Sequence, residues 1–339
     1  MDGDRGLIRV REAVAADAVW WDEALPSVSR PPTGLWAWRA VLRKAYAARP
    51  VYFVAERHGV PVATMAAYRP LGGGRRLYSA RYGLAAVDQA AAVALVDAMR
   101  DRAKQDRLGE VLLSCGYHDH RLGSPGMAET VVLDVLGDEE ATWDALRDKT
   151  RNLVRKAQRA GLHAEWGWHN LDAFYAVYAR HLSAKQFRVH RRRFLREMAV
   201  QLGDASDLLI LRHEGKVVAG TVVLYGRSVA LYPYQAADQA CLEMAPNQLM
   251  IWEIVRSCVA RGIPLLDMGE STPGGATQRF KINFGGRVQP LYSVALGPGH
   301  VTKERTAAAG NTPSQGKAYP TALRRPAAVL RQIRSGRVL

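Results

Sequence analysis

The feature that most limits what this chain can fold into is an internal repeat. Residues 52–63 read YFVAERHGVPVA and residues 208–219 read LLILRHEGKVVA, so the same pattern recurs at an offset of about 155 residues. Each copy is an apolar run, a charged turn holding a glycine (Gly59, Gly215) and a second apolar run, which predicts a β-hairpin. Residues 95–114 and 250–269 match at nearly the same offset, each a helical pattern leading into a buried strand (Val111-Leu112-Leu113; Leu265-Leu266-Asp267). Hairpin, further strand, helix, strand, written twice, predicts an α+β protein of two similar domains. A chain of 339 residues is long enough for two cores of ordinary size.

Composition narrows the class. Hydrophobic residues make up 48% of the chain and charged residues 23%, as in soluble globular proteins. No apolar run approaches the roughly 20 residues of a membrane helix. The start, Met1-Asp2-Gly3-Asp4, is acidic and has no apolar core, so no signal peptide is expected and a cytoplasmic location is. Cys115, Cys241 and Cys258 are far apart, which indicates neither a disulfide framework nor a zinc site; Cys258 falls in an apolar helical pattern and is expected in the core. There is no Walker loop and no dinucleotide fingerprint, and Gly72-Gly73-Gly74 has the spacing of a turn.

The net charge is +15. Residues 301–339 carry eight Lys or Arg against one Glu, a net +7, and the first 300 residues hold the other +8. That last stretch is rich in Ala, Pro, Gly and Thr and reads as a basic, disordered tail, with 322–333 able to form a short helix on a polyanion. The expected organisation is therefore 1–140, 141–300 and a tail from 301 to 339.

Two stretches carry chemistry. Residues 262–286, GIPLLDMGESTPGGATQRFKINFGG, begin as a buried strand and open into a polar, glycine-rich loop with Asp267, Glu270 and Ser271. Arg279 and Lys281 then return on what reads as a second apolar–polar alternation. Acidic and glycine residues at a strand end deliver side chains to a pocket mouth, and the basic pair suits an anion or a developing oxyanion. The other reading is a hairpin with a solvated tip. Residues 143–161, WDALRDKTRNLVRKAQRAG, predict one helix whose apolar face holds Trp143, Leu146, Thr150, Leu153, Val154 and Ala157. Arg147, Arg151, Arg155 and Arg159 recur every fourth residue, and Lys149 and Lys156 widen the stripe. Such a stripe suits phosphates, and equally a solvated helix face; Asp144 and Asp148 in the first turn are its few acidic neighbours.

Several of these residues together resemble one family. The run 149–157, KTRNLVRKA, with Gly161-Leu162, is similar to the central motif of FemAB-type aminoacyltransferases. So are Phe174-Tyr175, Val218-Ala219-Gly220, the strand 232–235, Asn247-Gln248-Leu249, the run 267–271, Phe280-Lys281 and Phe284-Gly285. The resemblance covers about residues 143–295; the first half is similar in layout, with LYSARYG at 77–83 its best local match. It implies two tandem GNAT-like domains, each a mixed sheet flanked by helices. It also implies transfer of an amino acid from aminoacyl-tRNA, as co-substrate and without a further cofactor, to an amine of a small molecule or a peptidoglycan precursor.

An aminoacyl ester is already activated, so such an enzyme aligns an amine with the ester carbonyl and stabilises the oxyanion. By the resemblance Lys281 polarises the ester carbonyl; without the resemblance it reads as a lysine on a strand edge, facing water. Glu270 and Asp267 are candidates to orient or deprotonate the amine, or else are loop carboxylates paired with Arg279. Arg147, Arg151, Arg155, Lys156, Tyr234, Gln235, Asn247, Arg279 and Phe280 are the candidate substrate-binding residues, and no metal is implied. The long helical arm of the staphylococcal-type members has no counterpart pattern here. Their acceptor residues in the first domain are unmatched. Trp36 and Trp38, within 33–46, read either as an acceptor pocket or as core, with core the more common role.

Three other readings stand beside this one. An acyl-CoA N-acyltransferase would need a glycine-rich loop between a strand and a helix for the pyrophosphate; the nearest string, residues 158–163, follows a helix and ends in His163. A non-catalytic, basic RNA- or polyanion-binding module would use the stripe and Arg191-Arg192-Arg193, with no need of Lys281 or Glu270. His118-Asp119-His120 has metal-like alternation but no third ligand in sight, and reads first as a polar loop.

Overall fold

The computed structural model describes residues 7–25, 31–69, 76–116 and 125–296. The first half runs β1 (Ile8–Glu12), a short α1 (Ala18–Trp21), α2 (Trp38–Tyr46), β2 (Arg49–Arg57), β3 (Val60–Arg69), β4 (Arg76–Ala86), α3 (Gln89–Gln105), β5 (Glu110–Gly116) and β6 (Pro125–Asp134). The second runs α4 (Glu139–Ala145), α5 (Asp148–Arg159), β7 (His163–Trp166), α6 (Leu171–Ala184), α7 (Arg192–Leu202), β8 (Ser206–His213), β9 (Lys216–Tyr225), β10 (Ala230–Ala237), α8 (Pro246–Ala260), β11 (Leu265–Ser271), α9 (Ala276–Phe284) and β12 (Arg287–Leu296). Both repeated segments are hairpins, β2–β3 and β8–β9. In each turn two successive residues have positive φ, His58 at 53° and Gly59 at 76°, Glu214 at 48° and Gly215 at 75°, as a two-residue type I′ turn demands.

The strands form one twelve-stranded sheet in the order β1-β2-β3-β4-β5-β12-β6-β11-β10-β9-β8-β7. The order reads alike from both ends once first-half strands are matched to their counterparts, so the halves are related by a pseudo-twofold. The relation includes an exchange. β6, the last strand of the first half, lies against β11 of the second, from Leu265↔Asp134 to Ser271↔Glu129. β12 in turn lies against β5. At the centre β6 and β12 pair antiparallel with each other, Arg287↔Val132 to Gln289↔Thr130. The parallel pairs are brief: β4 meets β5 at three positions (Arg76, Leu77, Tyr78), and β10 meets β11 at two (Ala230↔Leu266, Leu231↔Asp267).

Alternation along the strands assigns the two faces. On β8, Leu208 and Ile210 join one core while Leu209 and Leu211 join another. The first core crosses the midline: Trp38, Val41 and Leu42 of α2 meet Phe194, Leu195 and Met198 of α7, its counterpart in the repeat. On the other face α3 covers the first half (Leu95, Val96 and Met99 over Phe53, Met65 and Leu77). There α5 and α8 cover the second half, with Cys258 in the core as expected. Among the described residues no helix is long and apolar enough to cross a membrane.

Two expected elements differ. Residues 143–161 are not one helix: Leu146 and Arg147 are extended (ψ 148° and 144°), and α5 starts afresh with Arg147 at its N-cap. Trp143 packs on Trp252 at 4.7 Å while Thr150 bonds to the Asn283 carbonyl at 2.9 Å, so the two pieces dock on different partners. Residues 279–284 are not a returning strand either; they lie in α9. Their alternating polarity suggests a strand, but the buried set is Gln278, Lys281 and Phe284, a spacing of three that puts all of them on one helical face.

One titratable group sits at the α2–α7 junction. The His190 ring packs against Phe194 (4.8 Å) and Tyr234 (5.3 Å), and its Nδ1 is 2.6 Å from the Tyr46 hydroxyl. Burial, then the nearby Arg188, pushes its pKa down from 6.5 to about 4. The unfolded chain therefore binds the extra proton first. The contribution to stability, on the order of 3 kcal/mol, is complete above the unfolded value and is lost as pH falls toward the folded one. The melting temperature should drop between pH 6.5 and about 4, and His190→Gln should flatten that slope; an unchanged slope would remove His190 from the account.

Candidate functional site

The site begins with a flaw in a strand. β11 pairs with β6 as far as Asp267↔Val132 and resumes at Glu270↔Thr130, so one extra residue is accommodated. Gly269 takes it up with φ +85°, a conformation that L side chains rarely adopt. Asp267, 1% exposed, fixes the bulge: its Oδ1 accepts from the Gly269 N–H at 2.7 Å and from the Thr130 hydroxyl at 2.5 Å. The freed carbonyls of Gly269 and Glu270 are reached by α9, where Lys281 Nζ donates to them at 2.8 and 3.1 Å and to Ser271 Oγ at 2.9 Å.

Lys281 is thus buried, 3% exposed, and is not a lysine on a water-facing strand edge. An ammonium can stay charged out of water only if its donors are met. Two carbonyls and a hydroxyl of the bulge region are among the acceptors that meet them here. α9 is anchored at both ends. Gln278 Oε1 accepts from the Gly274 N–H at 2.7 Å while its Nε2 donates to Glu129 Oε2 at 2.6 Å. Asn283 takes Arg147 Nη1 on its side chain and Thr150 Oγ1 on its carbonyl, both at 2.9 Å.

Just beyond Asp267 the sheet parts. β10 and β11 share no register after Leu231↔Asp267, and β10 has its own irregularity between Leu231 and Tyr234. At this point Asp267 Oδ2 and the Tyr232 hydroxyl are buried without a hydrogen-bond partner. Burial, and then Asp267, raises the pKa of Tyr232.

The sequence-named residues fall into three places. Lys281, Asp267 and Glu270 meet at the bulge, while Arg279 and Phe280 lie beside Lys281 on α9, where Arg279 donates to the Gly274 carbonyl. Glu270 and Arg279 are exposed, and Phe280 is half-buried against the α8 core. Tyr234 belongs to the opposite face of the sheet, edge-on to His190 and Phe194; Gln235 follows it, exposed, and Asn247 is half-buried in the first turn of α8. On α5, Arg151 pairs with Asp144 at 3.3 Å and with Asp148, and Arg155 lies 5.3 Å from the Trp143 ring centroid. Lys149, Lys156 and Arg159 are exposed. Trp38 is fully buried core, whereas Trp36 is half-exposed under the Arg39 guanidinium at 4.0 Å. Sequence reasoning missed Thr130, Glu129 and Gln278. A lone threonine 137 positions before its partner gives no linear signal.

The strand-to-helix junctions before α3 and α8 are not glycine-rich. Before α3, Asp88 Oδ1 accepts from the Ala91 N–H at 2.8 Å. Between β10 and α8, Asp238 accepts from the Ala240 N–H at 3.1 Å, and α8 opens on Pro246, which has no N–H. The His118-Asp119-His120 run, the Gly72–Gly74 turn and residues 301–339 lie outside the described residues, among which no three potential metal ligands cluster.

Residues 144–281 match the family described as an acetyltransferase (GNAT) domain. No curated protein matches the chain in sequence. Among solved structures, FemX superposes with a TM-score of 0.67 at 11% identity, covering 83% of this chain and 95% of that one. A tandem GNAT protein from the clavulanic acid biosynthesis pathway gives 0.54 at 14% identity, over 87% of this chain and 100% of that one. L-PGS from Bacillus licheniformis gives 0.56 at 12%, over 88% and 95%. The fold is thus the tandem GNAT fold that FemX also adopts, and the matched segment, an acyltransferase domain, contains the bulge, Asp267 and Lys281.

Gly269→Ala tests the bulge. The added Cβ would lie 3.8 Å from Lys281 Nζ, an ordinary contact, so the expected penalty comes from the backbone. It should be about 1–2 kcal/mol in urea unfolding; no loss would mean that the bulge does not require φ near +85°.

Proposed function

We propose that this chain is an amide-forming acyltransferase that moves an amino acid from aminoacyl-tRNA to an amine. The observation that carries the reading is Lys281, a buried lysine whose Nζ donates to the Gly269 and Glu270 carbonyls and to Ser271 Oγ, beside the place where β10 and β11 part.

In this reading the acceptor amine attacks the ester carbonyl, a C–N bond forms, and the carbonyl oxygen becomes an oxyanion. The C–O bond to the ribose then breaks, and the proton given up by the amine ends on the ribose oxygen. Lys281 meets the oxyanion by turning one N–H away from Ser271, whose hydroxyl is the most easily replaced of its three acceptors. Glu270, exposed beyond the bulge, is placed to take the amine's proton; Asp267, buried and already accepting two hydrogen bonds on one oxygen, shapes the site from behind. Lys149, Lys156 and Arg159 face solvent and offer charge to donor phosphates, with Arg147, which is bonded to Asn283 two residues from Lys281. Arg151 and Arg155 flank them, already engaged on the protein.

The junctions before α3 and α8 support a tRNA donor over acyl-CoA. Before α3 a carboxylate accepts from an N–H that a pyrophosphate would need and repels a negative charge, and α8 opens on Pro246, which has no N–H to offer. The acyl-CoA reading keeps a place because the matched family is described as an acetyltransferase. The acceptor is an amine on a small molecule or a cell-wall precursor.

Incubation with a pool of charged tRNAs, acetyl-CoA and a cell extract distinguishes these readings. Selective loss of one amino acid from tRNA, abolished in Lys281→Met, is the expected result. Turnover that survives Lys281→Met would refute the catalytic assignment, and loss of acetyl-CoA alone would make the donor acyl-CoA. Lys149→Glu with Lys156→Glu should weaken tRNA binding and shrink its salt dependence by about one counterion per lysine removed; unchanged binding would return α5 to a solvated face.

A further inference from the structure

Lys281 belongs to the second half, but the oxygens that hold it are set by a strand of the first. The Thr130 hydroxyl, on β6, donates to Asp267 Oδ1 at 2.5 Å. The same oxygen accepts from the Gly269 N–H at 2.7 Å, and the Gly269 carbonyl accepts from Lys281 Nζ at 2.8 Å. Thr130, Asp267 and Lys281 are 0%, 1% and 3% exposed, so water does not substitute in this chain. A second thread starts one residue earlier on β6. Glu129 Oε2 accepts from Gln278 Nε2 at 2.6 Å, and Gln278 Oε1 accepts from the Gly274 N–H at 2.7 Å, tying down the loop and first turn of α9. β6 therefore grips both elements between which the ammonium is held.

We propose that Thr130 and Asp267 are positioning residues for Lys281, with Glu129 and Gln278 fixing the helix that carries it. The exchanged strand of one half would thereby set the geometry of the acyl-transfer site in the other. The proposal deepens the reading of Lys281 as the group that meets the ester, and rests on it for its meaning. Gly269 is gripped on both sides: its N–H is held by Asp267 and its carbonyl by Lys281. Loss of the Thr130 hydroxyl removes one of the two donors to Asp267 Oδ1, so the carboxylate can rotate, the bulge relax and the Gly269 carbonyl turn from Lys281 Nζ.

The test reads the lysine itself and needs no substrate. The whole protein is treated briefly with acetic anhydride, and acetylation of Lys281 is followed by peptide mass spectrometry, with exposed Lys149 and Lys156 as internal references. In the unaltered protein Lys281 should react far more slowly than either. Thr130→Val, nearly isosteric, should raise its rate about fivefold, the factor that one net hydrogen bond represents. The reference lysines and circular dichroism should not change, and Thr130→Ser should restore protection. Equal protection in Thr130→Val and the unaltered protein overturns the proposal. If Thr130→Val does not fold, Glu129→Gln replaces it: that change weakens the grip on Gln278 and should likewise expose Lys281, and unchanged protection there overturns the proposal too. The two ideas fail separately. Turnover that survives Lys281→Met sinks the catalytic reading whatever the labelling shows, whereas labelling that ignores Thr130 and Glu129 sinks the relay alone.

Discussion

Everything in this molecule leans on the antiparallel pairing of β6 with β12. Each of these strands is the last of its half, and each has the other half's fifth strand on its far side. Two sheets that would otherwise end in open edges become one, joined by main-chain hydrogen bonds. The shared core follows. Once the sheets are continuous, α2 and α7 fall side by side on one face, and Trp38 packs on Phe194 at 6.3 Å across the midline. The private cores under α3 and under α5 and α8 are ordinary by comparison.

The site shows how a strand defect becomes chemistry. A regular β11 would direct its carbonyls along the ladder. The extra residue at Gly269 redirects two of them to α9, and a lysine there is stabilised where water is absent. Burying an ammonium costs several kcal/mol. Three oriented oxygens offset part of that. In the proposed reaction such a group is already in position when an oxyanion forms and needs no solvent reorganisation. Asp267 contributes at one remove, through the backbone that it pins.

Much of the fold was legible. The His58-Gly59 and Glu214-Gly215 turns announced both hairpins because positive φ at consecutive positions leaves few residue choices. The helices before β5 and β11 were legible from their apolar spacing. Other features were not. Residues 279–284 alternate in polarity as a strand does, and only burial of Gln278 and Lys281, two polar residues, reveals a helix. The break at Leu146 was hidden because its neighbours on both sides are good helix formers and tertiary docking, not propensity, divides them. The strand that carries Asp267 and Glu270 was legible as β11, whereas Lys281 was singled out by the resemblance and expected on a strand where the structure has α9. Thr130 was not, because strand exchange makes a neighbour of a residue from the other half.

The topology is that of a strand-swapped homodimer written into a single polypeptide. In a true dimer, symmetry would oblige both copies to change together. Covalent fusion removes that obligation. Eight residues separate β5 from β6, and fifteen separate β11 from β12, where α9 is inserted. One copy was free to acquire a lysine-bearing helix while the other kept the role of brace. Divergence is limited, however, because each copy still supplies a strand to its sister: a substitution on β6 is felt in a site that, judged by chain order, belongs to someone else.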